Sequence, residues 1–231
     1  MSYKFLLFDL DHTLLDFDVA ENQALNELLL EQGFEDIQAF KDYYIPMNKA
    51  MWRDLEQGLI SKEELVNTRF SRAFAYFGLE KDGISLAQYY EIYLSQQGQT
   101  YPGALELLEE LQTAGYQLYA ATNGIAKIQQ GRLKVSGLEA YFEQVFISDQ
   151  LGSQKPEGAF FEKVGQAILD FELDKALMIG DSLTADIAGA YQAGLNSVWY
   201  NAQNQINTSA MQPTYEVQDY DGLRILLLGQ E

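Results

Sequence analysis

Two textures of hydrophobic patterning divide the chain. Near its start, Phe5-Leu6-Leu7-Phe8 is apolar at every position and ends abruptly at Asp9 and Asp11. That is the pattern of a short strand buried on both faces. From about Tyr101 onward similar runs recur at 116–122, 144–148, 176–180 and 197–200, separated by stretches of helical character starting near Pro102, Ile125, Pro156 and Thr184. Pro102 and Pro156 suit a first helical turn, where a missing N–H costs nothing, and Gly115, Gly137 and Gly194 suit helix ends. Strands alternating with helices predict a parallel, Rossmann-like α/β sheet.

Residues 17 to about 98 read differently. They are rich in Glu, Gln, Leu, Phe and Tyr, and Gly33, Gly58, Gly78 and Gly83 punctuate them into four or five helices. The simplest arrangement is an α/β core, residues 1–16 and 99–231, interrupted after its first strand by a helical cap, residues 17–98. A cap there would overhang the carboxyl end of the first strand, where ligands bind in open α/β sheets and where a lid excludes water and selects substrates.

Composition narrows the chemistry. The 231 residues include no cysteine and a single histidine, His12, which excludes thiolate and polyhistidine metal sites. Any bound metal must take oxygen ligands, which favours Mg²⁺, with Mn²⁺ able to substitute. The formal charge of −19 opposes binding to a nucleic-acid polymer or an anionic membrane, but leaves room for a small anion beside a metal or a local cation. No signal-peptide pattern or membrane-length apolar run is visible, so the expected location is cytoplasmic.

Polar residues gather at the ends of the expected strands. Asp9, Asp11 and Thr13 alternate, so in extended chain their side chains point one way and begin to converge. Two carboxylates about 4 Å apart repel by roughly 4 kcal/mol at an effective dielectric near 20, a cost that a hard cation removes. The competing reading is a solvated strand end with Asp and Thr in turns or caps. Thr122-Asn123-Gly124 ends a second strand, either as a hairpin turn or as a strand-to-helix junction that offers a hydroxyl and free N–H groups to an anion. Lys155, before Pro156, projects an ammonium near a helix start, or is merely solvated. Asp181 follows Gly180 at another strand end, with Asp186 five residues on; they complete an oxygen site or cap the next helix.

Taken in order, Asp9-x-Asp11-x-Thr13, Thr122-Asn123-Gly124, Lys155-Pro156 and Gly180-Asp181-Ser182-x-x-x-Asp186 resemble the haloacid dehalogenase superfamily of phosphotransferases. The resemblance implies Asp9 as nucleophile on phosphorus, forming an aspartyl-phosphate, and Asp11 as general acid and then base. It implies Mg²⁺ held by Asp9, the Asp11 backbone carbonyl and Asp181, phosphoryl oxygens held by Thr122, Asn123 and Lys155, and Thr13 and Asp186 in support. Asp11 points to phosphoester chemistry, because departure of a halide needs no proton. Asp-His-Thr-Leu-Leu-Asp-Phe, the segment from Asn48 to Gly58, and Thr122-Asn-Gly followed by Gln129-Gln-Gly-Arg-Leu are similar to a subgroup of bacterial pyrimidine 5′-nucleotidases that accept modified nucleoside monophosphates. Trp52, Arg53 and Arg69 are candidate substrate contacts in the cap. The expected substrate is a small phosphomonoester, with no obligate protein partner. A sugar-phosphate or phosphoglycolate phosphatase, a sugar-phosphate mutase and a non-catalytic binding protein are the alternatives.

Overall fold

A computed structural model describes residues 3–229. Six strands form one sheet: β1 (Phe5–Phe8), β2 (Gln117–Thr122), β3 (Gln144–Ile147), β4 (Ala176–Gly180), β5 (Asn196–Tyr200) and β6 (Tyr215–Val217). Their order is β3-β2-β1-β4-β5-β6 and every adjacent pair is parallel. This is the Rossmann-like core expected, with one strand more. β6 is a three-residue edge strand with no apolar run to announce it. The order switches between β1 and β4, so a ligand crevice belongs at their carboxyl ends.

Four helices follow β1: α1 (Phe17–Glu31), α2 (Ile37–Glu56), α3 (Lys62–Tyr76) and α4 (Gly83–Ser95). Each starts where a short polar side chain accepts a hydrogen bond from an otherwise orphaned backbone N–H. The caps are Asp16, Asp36, Ser61 and Asp82. Ala24 and Leu28 of α1, Phe40 and Tyr44 of α2, and Phe70 and Tyr90 of α3 and α4 bury against one another, giving these helices an apolar centre of their own. The core continues with α5 (Ala104–Thr113), α6 (Ala126–Ser136), α7 (Ser148–Leu151), α8 (Gly158–Ala167), α9 (Ala188–Ala193) and α10 (Tyr220–Leu228).

The alternation of β1 sorts its side chains between two layers. Leu6 and Phe8 pack with Leu107 and Leu111 of α5 and Leu223 of α10, whereas Phe5 and Leu7 pack with Phe160 and Val164 of α8. Two helix starts differ from expectation. α5 is capped by Gly103 and α8 by Glu157, so Pro102 and Pro156 precede the caps instead of entering the first turn. The helix expected near Thr184 opens as a wide π turn, Leu183–Ile187, before α9.

The chain leaves the core and returns to it along neighbouring connections. Leu15 bridges Thr100, Asp16 N donates to Gln99 O at 2.9 Å, and Tyr101 N donates to Leu14 O at 3.0 Å. α4 lies close on α6 at Gly131, where a Cβ would overlap the Ser95 carbonyl. No helix among the described residues is long and apolar enough to cross a membrane.

Candidate active site

Adjacent strands deliver the acids. Asp9 extends β1 by one residue, its N–H donating to Ile179 O of β4 at 2.8 Å, and Asp181 directly follows the end of β4. Asp186 folds back from the π turn beneath Gly180, where a Cβ would collide with its carboxylate, so glycine is required there. One oxygen from each of Asp9, Asp181 and Asp186 lies within 4.8 Å of the others.

Lys155 threads into this group. Its ammonium donates to Asp9 Oδ1, Asp186 Oδ1 and Ala121 O, each at 2.6 Å, which satisfies all three of its donors although the residue is only 1% exposed. The other Asp186 oxygen accepts from Ser182 N at 3.0 Å. Asn123 holds the lysine in place: its carboxamide accepts from Lys155 N at 2.8 Å and donates to Lys155 O at 2.7 Å. The Asn123 side chain is thus engaged with the main chain of Lys155.

One cation does not balance three carboxylates. Burial pushes Asp9 up to about 7, with Lys155 pulling it down and Asp186 pushing it up further. Burial also raises Asp181 well above the carboxylate range, helped by Asp9 and Asp186. Burial works against the charge of Lys155, but Asp186 and Asp9 outweigh it and keep its value raised. Each carboxylate pair at such spacing costs about 3 kcal/mol at an effective dielectric near 20. An all-oxygen, charge-crowded set of this kind suits a hard divalent cation.

Asp11 does not join that group. The chain turns at His12, which has a φ of 61°, so the extended alternation does not carry on to Thr13. The Asp11 carboxylate instead pairs with Arg132 Nη1 and accepts from Gln129 Nε2 at 2.8 Å. Thr13 is fully buried, and its carbonyl accepts from the Tyr220 hydroxyl at 2.7 Å. Thr122 Oγ1 accepts from Gly124 N at 3.1 Å and from Gln129 Nε2 at 2.9 Å, leaving its own proton to donate.

Gln129 and Arg132 carry no role in the sequence-based expectation for the site. Their spacing of three places both on one face of a helix, which is the signal that could have found them. Arg132 is completely buried and also donates to Gln97 O, in the returning connection, at 3.3 Å. Trp52 and Arg69 of the helical insert line a pocket together with Asp11 and Gln129 of the core. Arg53 is exposed and does not line it. The pocket volume is only about 40 Å³, room for a few waters. Two further contacts join insert and core: the Lys62 ammonium donates to Asn123 O at 2.9 Å and pairs with Asp149 at 2.6 Å, and Thr184 donates to Glu56 at 2.6 Å.

A family model for haloacid dehalogenase-like hydrolases matches residues 6–200. The pyrimidine 5′-nucleotidase PynA of Streptococcus pneumoniae is 63% identical over 223 residues, 96% of this chain and 94% of that protein. The pyrimidine 5′-nucleotidase YjjG of Escherichia coli is 28% identical over 231 residues, 98% of this chain and 99% of that protein. A crystal structure of the HAD-hydrolase YfnB of Bacillus subtilis bound to magnesium has a TM-score of 0.94 at 39% identity, covering 98% of this chain and 99% of that one.

Proposed function

The chain belongs to the haloacid dehalogenase-like hydrolase family, and from that premise we propose that it is a Mg²⁺-dependent phosphatase acting on pyrimidine nucleoside 5′-monophosphates, modified ones included. The observation that carries this reading is a division of labour between two carboxylates two residues apart. Asp9 is buried against Lys155 and Asp186, whereas Asp11 turns away to the pocket under the helical insert. The 63% identity to a pyrimidine 5′-nucleotidase supports the substrate class.

In this reading Asp9 attacks phosphorus, forming an O–P bond as the bond to the nucleoside oxygen breaks, and Asp11 gives that oxygen a proton. Asp11 then takes a proton from the water that hydrolyses the aspartyl-phosphate. Lys155 and the Thr122 hydroxyl hold the phosphoryl oxygens, with Asn123 fixing the lysine backbone. Asp9, Asp181 and the Asp11 carbonyl would hold Mg²⁺, with Asp186 in support through Lys155, and the ion would supply the positive charge that lets an anionic nucleophile approach an anionic phosphate. The helical insert serves as a cap. A nucleotide does not fit 40 Å³, so the cap opens to admit it, and the magnesium-bound YfnB structure is described as revealing interdomain movement.

Phosphate release across UMP, dUMP, dTMP, sugar phosphates and phosphoglycolate tests the reading. The pyrimidine nucleotides are expected to lead, and Asp9→Asn to lose about 10⁵-fold in turnover. A flat sugar-phosphate profile removes the substrate class, an isomerised sugar-phosphate product indicates a mutase, and a fully active Asp9→Asn overturns the mechanism.

A further inference from the structure

The pocket that ends at Asp11 has a second polar end that the phosphoryl chemistry does not use. Arg69, on α3, lines it together with Asp11 and is only 2% exposed, yet its Nε and Nη2 make no hydrogen bond of good geometry, the Tyr44 hydroxyl being close enough to feel the guanidinium but not well aligned with it. The guanidinium lies 5.2 Å from the centre of the Phe70 ring and 5.0 Å from that of Tyr90, contacts that fix its position without using its donors. Buried donors without partners are uncommon in native proteins, because each gives up water for nothing. Arg69 lines the pocket, so a guanidinium with hydrogen-bonding capacity to spare stands where a ligand meets it once the insert opens.

The charge around Arg69 indicates what kind of ligand. Glu21, on α1, is 3% exposed, accepts from Asn48 at 3.1 Å and lies close enough to Arg69 for the arginine to oppose the effect of burial on its carboxyl. A guanidinium with a carboxyl already in its neighbourhood gains less from a second anion than from a neutral acceptor that fits its fork. Nε–H and Nη2–H form one edge of that fork. Trp52 adds a flat apolar wall beside it.

We propose that Arg69 is a specificity-determining residue that reads the leaving group, its guanidinium donating to a neutral ring carbonyl, the O2 or O4 of a pyrimidine, and not to a second phosphate. The inference rests on the nucleotidase reading above and sharpens it. It separates nucleotides whose base carries a carbonyl from sugar phosphates, and from adenine, which has no carbonyl oxygen.

The test compares kcat/KM for UMP and for ribose 5-phosphate in the wild type and in Arg69→Lys, which keeps the charge opposite Glu21 but removes the fork. The UMP to ribose 5-phosphate ratio is expected to fall about ten- to a hundredfold, chiefly through KM for UMP, as expected for lost hydrogen bonds to a charged donor. Inhibition by uridine, which carries the base without the phosphate, should weaken by a similar factor. An unchanged ratio and unchanged uridine inhibition in a normally folded Arg69→Lys overturn the inference. Should Arg69→Lys not fold, the wild type decides: equal turnover of AMP and UMP overturns it, and strong discrimination against AMP supports it. A wild type that prefers ribose 5-phosphate to UMP refutes the nucleotidase reading itself. A UMP-preferring enzyme indifferent to Arg69→Lys refutes only the assignment of Arg69.

Discussion

Lys155 in the core and Arg69 in the insert are both buried cations beside carboxylates, and their surroundings are opposite. Every donor of Lys155 is matched, to Asp9, Asp186 and Ala121, and even its backbone is clamped by Asn123. Arg69 leaves Nε and Nη2 bare and is held mainly by aromatic faces. In the proposed mechanism the core group is fully hydrogen-bonded before substrate arrives, which is what electrostatic catalysis requires. The insert group keeps donors in reserve, which suits the selective role proposed for it. On that proposal, chemistry and selection lie in separate layers.

The most forceful way to break this comparison is to remove each cation. Lys155→Met leaves buried carboxylates without their partner and is expected to cost about 3–5 kcal/mol of stability at neutral pH, read from urea unfolding. Arg69→Met should cost less, because Arg69 gives up no hydrogen bond made by Nε or Nη2 and Glu21, pushed up to about 7 by burial, can take a proton instead. Equal losses at the two positions would mean that folding depends on the insert group as heavily as on the core group, and the contrast would fail.

Proton and metal linkage give a gentler separation. In metal-free protein, burial holds Asp9 at about 7, far above its ordinary 3.8, and Asp181 is raised as well. A carboxyl raised on folding binds protons in the folded state that the unfolded chain has already released. Its contribution to stability therefore falls as pH rises from about 4 to about 7 and stays low above that. Unfolding in EDTA should accordingly show lower stability at pH 7.5 than at pH 5. Added Mg²⁺ binds the ionised carboxylates and should recover most of that loss, with Mn²⁺ acting similarly. The part due to Glu21, also raised to about 7 by burial, should persist when the metal is present. A pH dependence that Mg²⁺ leaves untouched would place the titration outside the core carboxylates.

The same contrast explains what could be read in the sequence. The core strands announce themselves because Phe5–Phe8 and Ala176–Gly180 are buried on both faces, and their polar exits carry Asp9 and Asp181. Parallel pairing of β1 with β4 then brings those exits together, so linear order is enough to suggest the group. Asp11 and Thr13 are harder. Period-two alternation holds only while the chain is extended, and the left-handed turn at His12 ends it. The partners of Asp11, Gln129 and Arg132, come from a helix more than a hundred residues away; their spacing of three shows that they share a helix face, but not that this face meets Asp11. Arg69 is visible in the sequence only as a cation among aromatics. That its donors are unpartnered is a property of packing and not of sequence.

The smallest expected effect lies at the seam between the layers. Lys62 begins α3 in the insert, and its ammonium reaches Asn123 O at 2.9 Å, Ser148 Oγ at 2.8 Å and Asp149 Oδ1 at 2.6 Å in the core. Its side chain is 21% exposed, so solvent screens the pair and Lys62→Met should change stability by no more than about 1 kcal/mol. Its effect should fall on closure. Losing three bonds that exist only when the insert sits on the core favours the open form, which should reduce kcat/KM a few-fold. High salt should shrink the difference between wild type and Lys62→Met, because it weakens the wild-type pair while leaving the variant unaffected. A stability loss well beyond 1 kcal/mol would instead show that the start of α3 depends on docking to the core, and the two layers would then fold as one unit.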